Sequence, residues 1–117
     1  MVITERTVGH VTVLDLNGPL TGGSGTERLK DKINSLVLQN LPNILINLGE
    51  VAMIDSSGLG EIVTCLTTVR KAGGTLKLVN VTKRNKELLS ITRLVTVFDT
   101  FDSEAEAIKA FSPAASV

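Results

Sequence analysis

The sequence predicts a mixed α/β fold: a mostly parallel sheet, opened by an N-terminal antiparallel hairpin and carrying about four helices. Three observations carry this. Two short β-branched runs stand at the start, Val2 to Arg6 and His10 to Leu16, separated by Thr7-Val8-Gly9, which suits two antiparallel strands and a tight turn. From Ser24 onward helical and strand periods alternate, the pattern of β-α-β units. Ile44-Leu45-Ile46-Asn47-Leu48 is a nearly continuous apolar run, as expected of a central strand covered on both faces.

The elements follow in order. Asn17-Gly18-Pro19 stops the hairpin and Gly22-Gly23-Ser24-Gly25 extends the break. Ser24-Gly25-Thr26-Glu27 has capping-box spacing, and Leu29, Ile33, Leu36 and Val37 share one face of a helix ending near Asn40. After the central strand and Val51 to Ile54, Leu59, Ile62, Val63, Leu66 and Val69 recur at three and four. Arg70-Lys71 and then Gly73-Gly74 end this second helix at about Ala72, because unpaired carbonyls favour cations and glycine closes the turn. Thr75 to Val81 reads as a strand, and Thr82 or Lys83 opens a short helix with Leu88, Leu89 and Ile91. Val97 to Phe101 reads as a last strand, and Ser103-Glu104-Ala105-Glu106 caps a helix holding Ile108 and Phe111. Residues 1–111 form one domain, and Ser112 to Val117 is expected to be a frayed tail.

Composition narrows the chemistry. Twelve Lys plus Arg balance twelve Asp plus Glu among 117 residues, so no basic excess is available to neutralise phosphates, and no direct nucleic-acid binding is expected. Trp and Tyr are absent, leaving no base-stacking platform. One cysteine, Cys65, and one histidine, His10, exclude an intrachain disulfide and a Cys- or His-rich metal site. No apolar stretch reaches the roughly 18 residues of a membrane span, and the N-terminus has no charged-then-apolar signal pattern. A soluble protein of a reducing, cytoplasmic compartment is the expectation, with no cofactor.

Asp55-Ser56-Ser57-Gly58-Leu59-Gly60 packs a carboxylate, two hydroxyls and two glycines where a strand hands over to a helix. With Asp55 as N-cap, Ile54 and Leu59 fall at hydrophobic-staple spacing; with Ser57 as cap, Ser56 and Glu61 would fall there and no staple forms. Asp55 is therefore the cap, and Ser56 keeps a free hydroxyl at the first helical position. Unpaired amides and the helix dipole tolerate a phosphate there. A partner carboxylate about 5 Å away would be repelled by roughly 6 kcal/mol at an effective dielectric of 20, before salt screening. The dipole returns only about 0.3–2 kcal/mol, so phosphate would release a partner without unfolding the domain. A plain helix cap accounts for the same residue types, but each glycine costs about 0.5–1 kcal/mol relative to Ala, which points to close approach by something.

The stretches Ile44 to Leu48, Val51 to Gly60 and Gly73 to Val81 resemble the STAS domain of bacterial anti-sigma factor antagonists, and the likeness spans nearly the whole chain. The resemblance implies a non-enzymatic protein whose Ser56 is phosphorylated by its partner anti-sigma factor, a serine kinase. Unmodified, it would bind that factor and free the sigma factor; phosphate would break the complex, and a serine phosphatase would restore it. Asp55, Ser57, Gly58 and Leu59, with Thr21, Gly22, Gly23 and Ser24 of the preceding loop, would form the partner surface. Family members often carry an acidic pair in that loop, where this chain has Gly18-Pro19-Leu20-Thr21 and then Gly22-Gly23-Ser24-Gly25.

The rival reading is a non-switching scaffold subunit of a lipid-transport or stress-sensing assembly. An enzyme is disfavoured: a serine nucleophile needs a base, and His10 lies early in the hairpin. Cys65 falls on the edge of an apolar helix face and reads as packing. The Gly22 to Gly25 loop lacks the Lys-Ser/Thr pair of a P-loop. Lys83, Arg84 and Lys86 read as a solvated face.

Overall fold

The computed structural model describes residues 1–111; the expected tail, 112–117, lies outside them. The hairpin consists of β1 (Val2–Val8) and β2 (Val11–Asn17), paired antiparallel with Val8 opposite Val11. The turn is thus Gly9-His10, beginning two residues and ending one residue later than the Thr7-Val8-Gly9 turn the sequence suggests. The β-branched pair Val8 and Val11 extends the ladder, and Gly9 takes the positive φ of 61° that so tight a reversal needs. His10 leaves the strand and is exposed at the turn.

The remaining elements are α1 (Ser24–Leu38), β3 (Asn43–Glu50), α2 (Ser56–Lys71), β4 (Thr75–Val79), α3 (Lys83–Ile91), β5 (Thr100–Phe101) and α4 (Glu104–Ala110). Sheet order is β1-β2-β3-β4-β5, parallel from β2 onward. Every crossover steps the same way across the sheet, so the right-handed rule puts α1, α2 and α3 on one face. There Leu14, Leu16, Ile44, Ile46 and Leu78 pack with Leu29, Ile33, Ile62, Leu66 and Leu89 in the main core. The opposite face buries Val11, Val13, Leu45 and Val79 under Ala107 and Phe111. Lys77 points into this second layer with its Nζ 5.8 and 5.6 Å from the Phe101 and Phe111 ring centres, and donates to Asp99 at 2.8 Å. Arg6 ties α4 to the sheet by pairing with both Asp15 and Glu104. Its guanidinium holds the Asp15 carboxyl below the usual range.

Beyond the hairpin turn, three further local expectations change. β4 stops at Val79, because Asn80 turns left-handed (φ 59°) and donates its side-chain amide to Asn47 at 3.1 Å. The last strand keeps only Thr100 and Phe101: Leu94–Thr96 form a 3-10 turn after left-handed Arg93, and Phe98 is drawn into the main core. The capping box at Ser24 does not form. Gly23 is the N-cap, with φ 96° and ψ −137°, no side chain caps the helix, and Ser24 is its first residue. The chain enters α1 through a conformation open to glycine and not to serine.

Candidate functional site

The site is built where β3 passes into α2. Asp55 is extended (φ −94°, ψ −177°), and its Oδ1 accepts from the Gly58 amide at 2.7 Å. Ile54 and Leu59 are both buried in the main core, as the staple requires. Ser56 is the first helical residue, exposed, and its hydroxyl takes no hydrogen bond among the described residues.

Residues 18–23 are stitched alongside this segment. Gly18 N donates to Glu50 O at 3.2 Å, Leu20 N to Met53 O at 2.9 Å, and Asp55 N to Leu20 O at 3.3 Å. Leu20, fully buried, forms a parallel bridge with Ile54. The second carboxylate oxygen of Asp55 then accepts from the Gly22 amide at 3.2 Å. One side chain therefore caps α2 and holds the tip of the neighbouring loop. The Gly58 amide, and after it that of Gly22, holds the Asp55 carboxyl below its ordinary range, since both bonds favour the charged form.

The two glycines of the first turns have different reasons. A Cβ on Gly58 would lie 2.0 Å from the Leu20 carbonyl oxygen; only a bare Cα lets the loop backbone approach. A Cβ on Gly60 would meet nothing within 4 Å. The close approach expected from the sequence is thus made at Gly58 by the chain's own loop, whereas Gly60 faces open space.

Of the loop residues, Gly22 meets the start of α2, at Asp55 and at Ser57; a Cβ on Gly22 would stand 3.4 Å from Ser57 Oγ. Two residues expected on the partner surface are not on it. Leu59 is turned into the core as the staple partner of Ile54, and Gly58 is covered by Leu20. Ser24 stands at the start of α1. The sequence reading gave Leu20 no role in the site; its signal was that of the one apolar residue in an otherwise polar and glycine-rich loop.

The remaining chemical groups stay apart. His10 sits at the opposite end of β2 from the loop that meets Asp55. Cys65 is buried, and that burial, with Glu61 beside it, pushes its thiol up and keeps it protonated. Among the described residues no three His, Cys, Asp or Glu side chains are grouped to hold a metal ion, and no helix is long and apolar enough to cross a membrane.

A sheet with three helices on one face, and a glycine-rich loop laid over the start of α2, define an α/β domain whose distinctive surface is a helix N-terminus. A family model for the STAS domain matches residues 2–107, and the chain belongs to that family. It is 38% identical over 71 residues to the anti-sigma-B factor antagonist of Bacillus subtilis (strain 168), a stretch covering 61% of this chain and 64% of that protein. The matched stretches span between 58% and 64% of the length of the curated relatives. The crystal structure of the Thermotoga maritima protein TM1081 superposes with a TM-score of 0.84 at 26% identity, covering 92% of each chain. The Bacillus cell fate determinant SpoIIAA in its phosphorylated form shares the fold, with a TM-score of 0.72 at 22% identity over 92% of this chain and 97% of that one.

Proposed function

We propose that this chain is an anti-sigma factor antagonist, a non-enzymatic binding module switched by phosphorylation of Ser56. The observation that carries the reading is the division of labour at the start of α2. Asp55 does the capping, so the Ser56 hydroxyl is exposed and free to be modified. Its surroundings favour a phosphate over a buried or capping role, because the first-turn amides and the dipole tolerate an anion there. Nothing in the core depends on that oxygen, so the modified domain keeps its fold and changes only the charge of the face it presents. A partner seated on Thr21, Gly22, Ser56 and Ser57 meets close to two added negative charges. The partner is an anti-sigma factor that is itself a serine kinase, and a serine phosphatase resets the cycle. The relatives named as anti-sigma factor antagonists support the role, and the known phosphorylated form of SpoIIAA supports the device.

The test is to incubate the purified chain with ATP and each serine-kinase anti-sigma factor of its genome, reading intact mass. One phosphate is expected on the wild type and none on Ser56→Ala; a phosphate retained by Ser56→Ala removes the site assignment. Ser56→Asp should weaken partner binding at least tenfold with a nearly unchanged melting temperature, and a large fall in melting temperature would make Ser56 a structural residue. A wild type that binds a partner yet is modified by no kinase favours the scaffold reading.

A further inference from the structure

We propose that the groove between Met53-Ile54 and α3 is the apolar half of the partner surface, filled by an apolar side chain of the same anti-sigma factor that docks at Ser56. This rests on the functional reading above. The groove has a volume of about 260 Å³; Met53, Ile54, Leu88 and Ile91 line it, with Arg84 and Glu87 among its charged groups. Ile91 is 80% exposed and Met53 41%, a poor environment for either in water. One wall is fixed, because buried Asn85 donates its side-chain amide to Val51 O at 2.8 Å and so anchors α3 to the segment that leads into Asp55.

The occupant follows from continuity and from what the Ser56 patch lacks. Met53 and Ile54 run directly into Asp55 and Ser56, so groove and candidate switch share one segment of backbone. Among the described residues at the start of α2 and the loop tip against it, the exposed ones are Gly22, Ser56, Ser57 and Gly60, none of which offers an apolar anchor. A stable interface buries about 800 Å² per partner and draws most of its energy from a few desolvated anchors inside a polar rim. A protein that reads the Ser56 hydroxyl must find that anchor nearby, and the adjoining groove supplies it with charged groups beside an apolar lining. Among the described residues the other strongly exposed apolar side chain on a helix, Leu38 at 84%, lies at the far end of α1, about 20 Å from that helix's start.

The experiment titrates the unmodified chain with the purified serine-kinase anti-sigma factor that phosphorylates it. Ile91→Asp and Met53→Gln should each weaken binding about tenfold or more at unchanged melting temperature. Ile91→Leu should bind as the wild type does, and so should the control Leu38→Asp. If the wild type binds and Ile91→Asp and Met53→Gln bind equally well, the groove proposal is overturned while the function at Ser56 stands. A wild type that binds none of the anti-sigma factors overturns both. If sedimentation shows a wild-type dimer that Ile91→Asp dissociates, with anti-sigma binding unchanged, the groove belongs to a second copy of this chain and the assignment made here is wrong.

Discussion

The first turns of α2 have two sides, and they are used differently. On the loop side, Asp55 and Gly58 are committed to the fold: one side chain and one missing side chain hold residues 18–23 in place. On the open side, Ser56 and Gly60, one turn apart and therefore neighbours on one face, touch nothing the fold needs. A face with an exposed hydroxyl and no structural duty can gain charge or a partner at little cost to stability. Its counterpart cannot change without moving the loop.

The largest expected effect comes from breaking the loop side. Gly58→Ala drives a methyl group into the Leu20 carbonyl, and backbone cannot yield as a flexible side chain would. The loss should be about 3 kcal/mol, at the upper end for overpacking, or roughly 10 °C or more in melting temperature, read by thermal unfolding. A variant that melts within 2–3 °C of wild type (about 0.5 kcal/mol) would mean that the loop is not held against the helix. Asp55→Asn separates the two duties of that residue. Asparagine still caps α2 through its carbonyl oxygen, but its amide group cannot accept from Gly22, so the tip of the loop is released while its backbone bonds to the β3–α2 segment remain. Melting temperature at neutral pH should fall by only a few degrees, while affinity for the proposed anti-sigma partner falls several-fold.

The same residue sets a pH dependence whose sign follows from the lowered carboxyl. A group whose folded value is depressed contributes stability that is present above its unfolded value, about 3.9, and is lost as pH falls through the folded value. The gap in melting temperature between wild type and Asp55→Asn should therefore be widest at neutral pH and narrow progressively as pH falls below about 4; a gap that does not narrow at all between about pH 5 and pH 2 would exclude this origin. The smallest effect belongs to the open side. Gly60→Ala removes a helix-interior glycine where a methyl group meets open space, and should stabilise by about 0.5–1 kcal/mol. If the partner lies flat on this face, the same variant will bind it less well, so that stability and binding move in opposite directions.

The local grammar of the chain was readable in advance. The alternation of periods, the end of α2 about Ala72, the start of α3 at Thr82 or Lys83, the Ser103 cap, and Asp55 with its Ile54 and Leu59 staple all rest on contacts within about five residues. Such contacts leave their imprint on spacing. Apart from the hairpin turn, moved by the neighbouring pair Val8 and Val11, the departures arose where a distant segment overruled a local preference. Ser24 lost the cap of α1 to Gly23 because its loop is held by a residue 33 positions from Gly22. The last strand shrank because Phe98 had a core to join.

The sequence by itself therefore determined the order of strands and helices, the handover from β3 to α2, and that Asp55, not a serine, caps the helix there. Only the tertiary structure decided that Leu20 lies on Gly58, that Asp55 grips Gly22, that Leu59 faces inward, and that Gly60 and the Met53-Ile91 groove remain open. The physical reason is separation along the chain. Residues 20 and 58 meet only after β2 and β3 pair in register, and nothing in the periodicity near either residue records which backbone will arrive from the neighbouring strand.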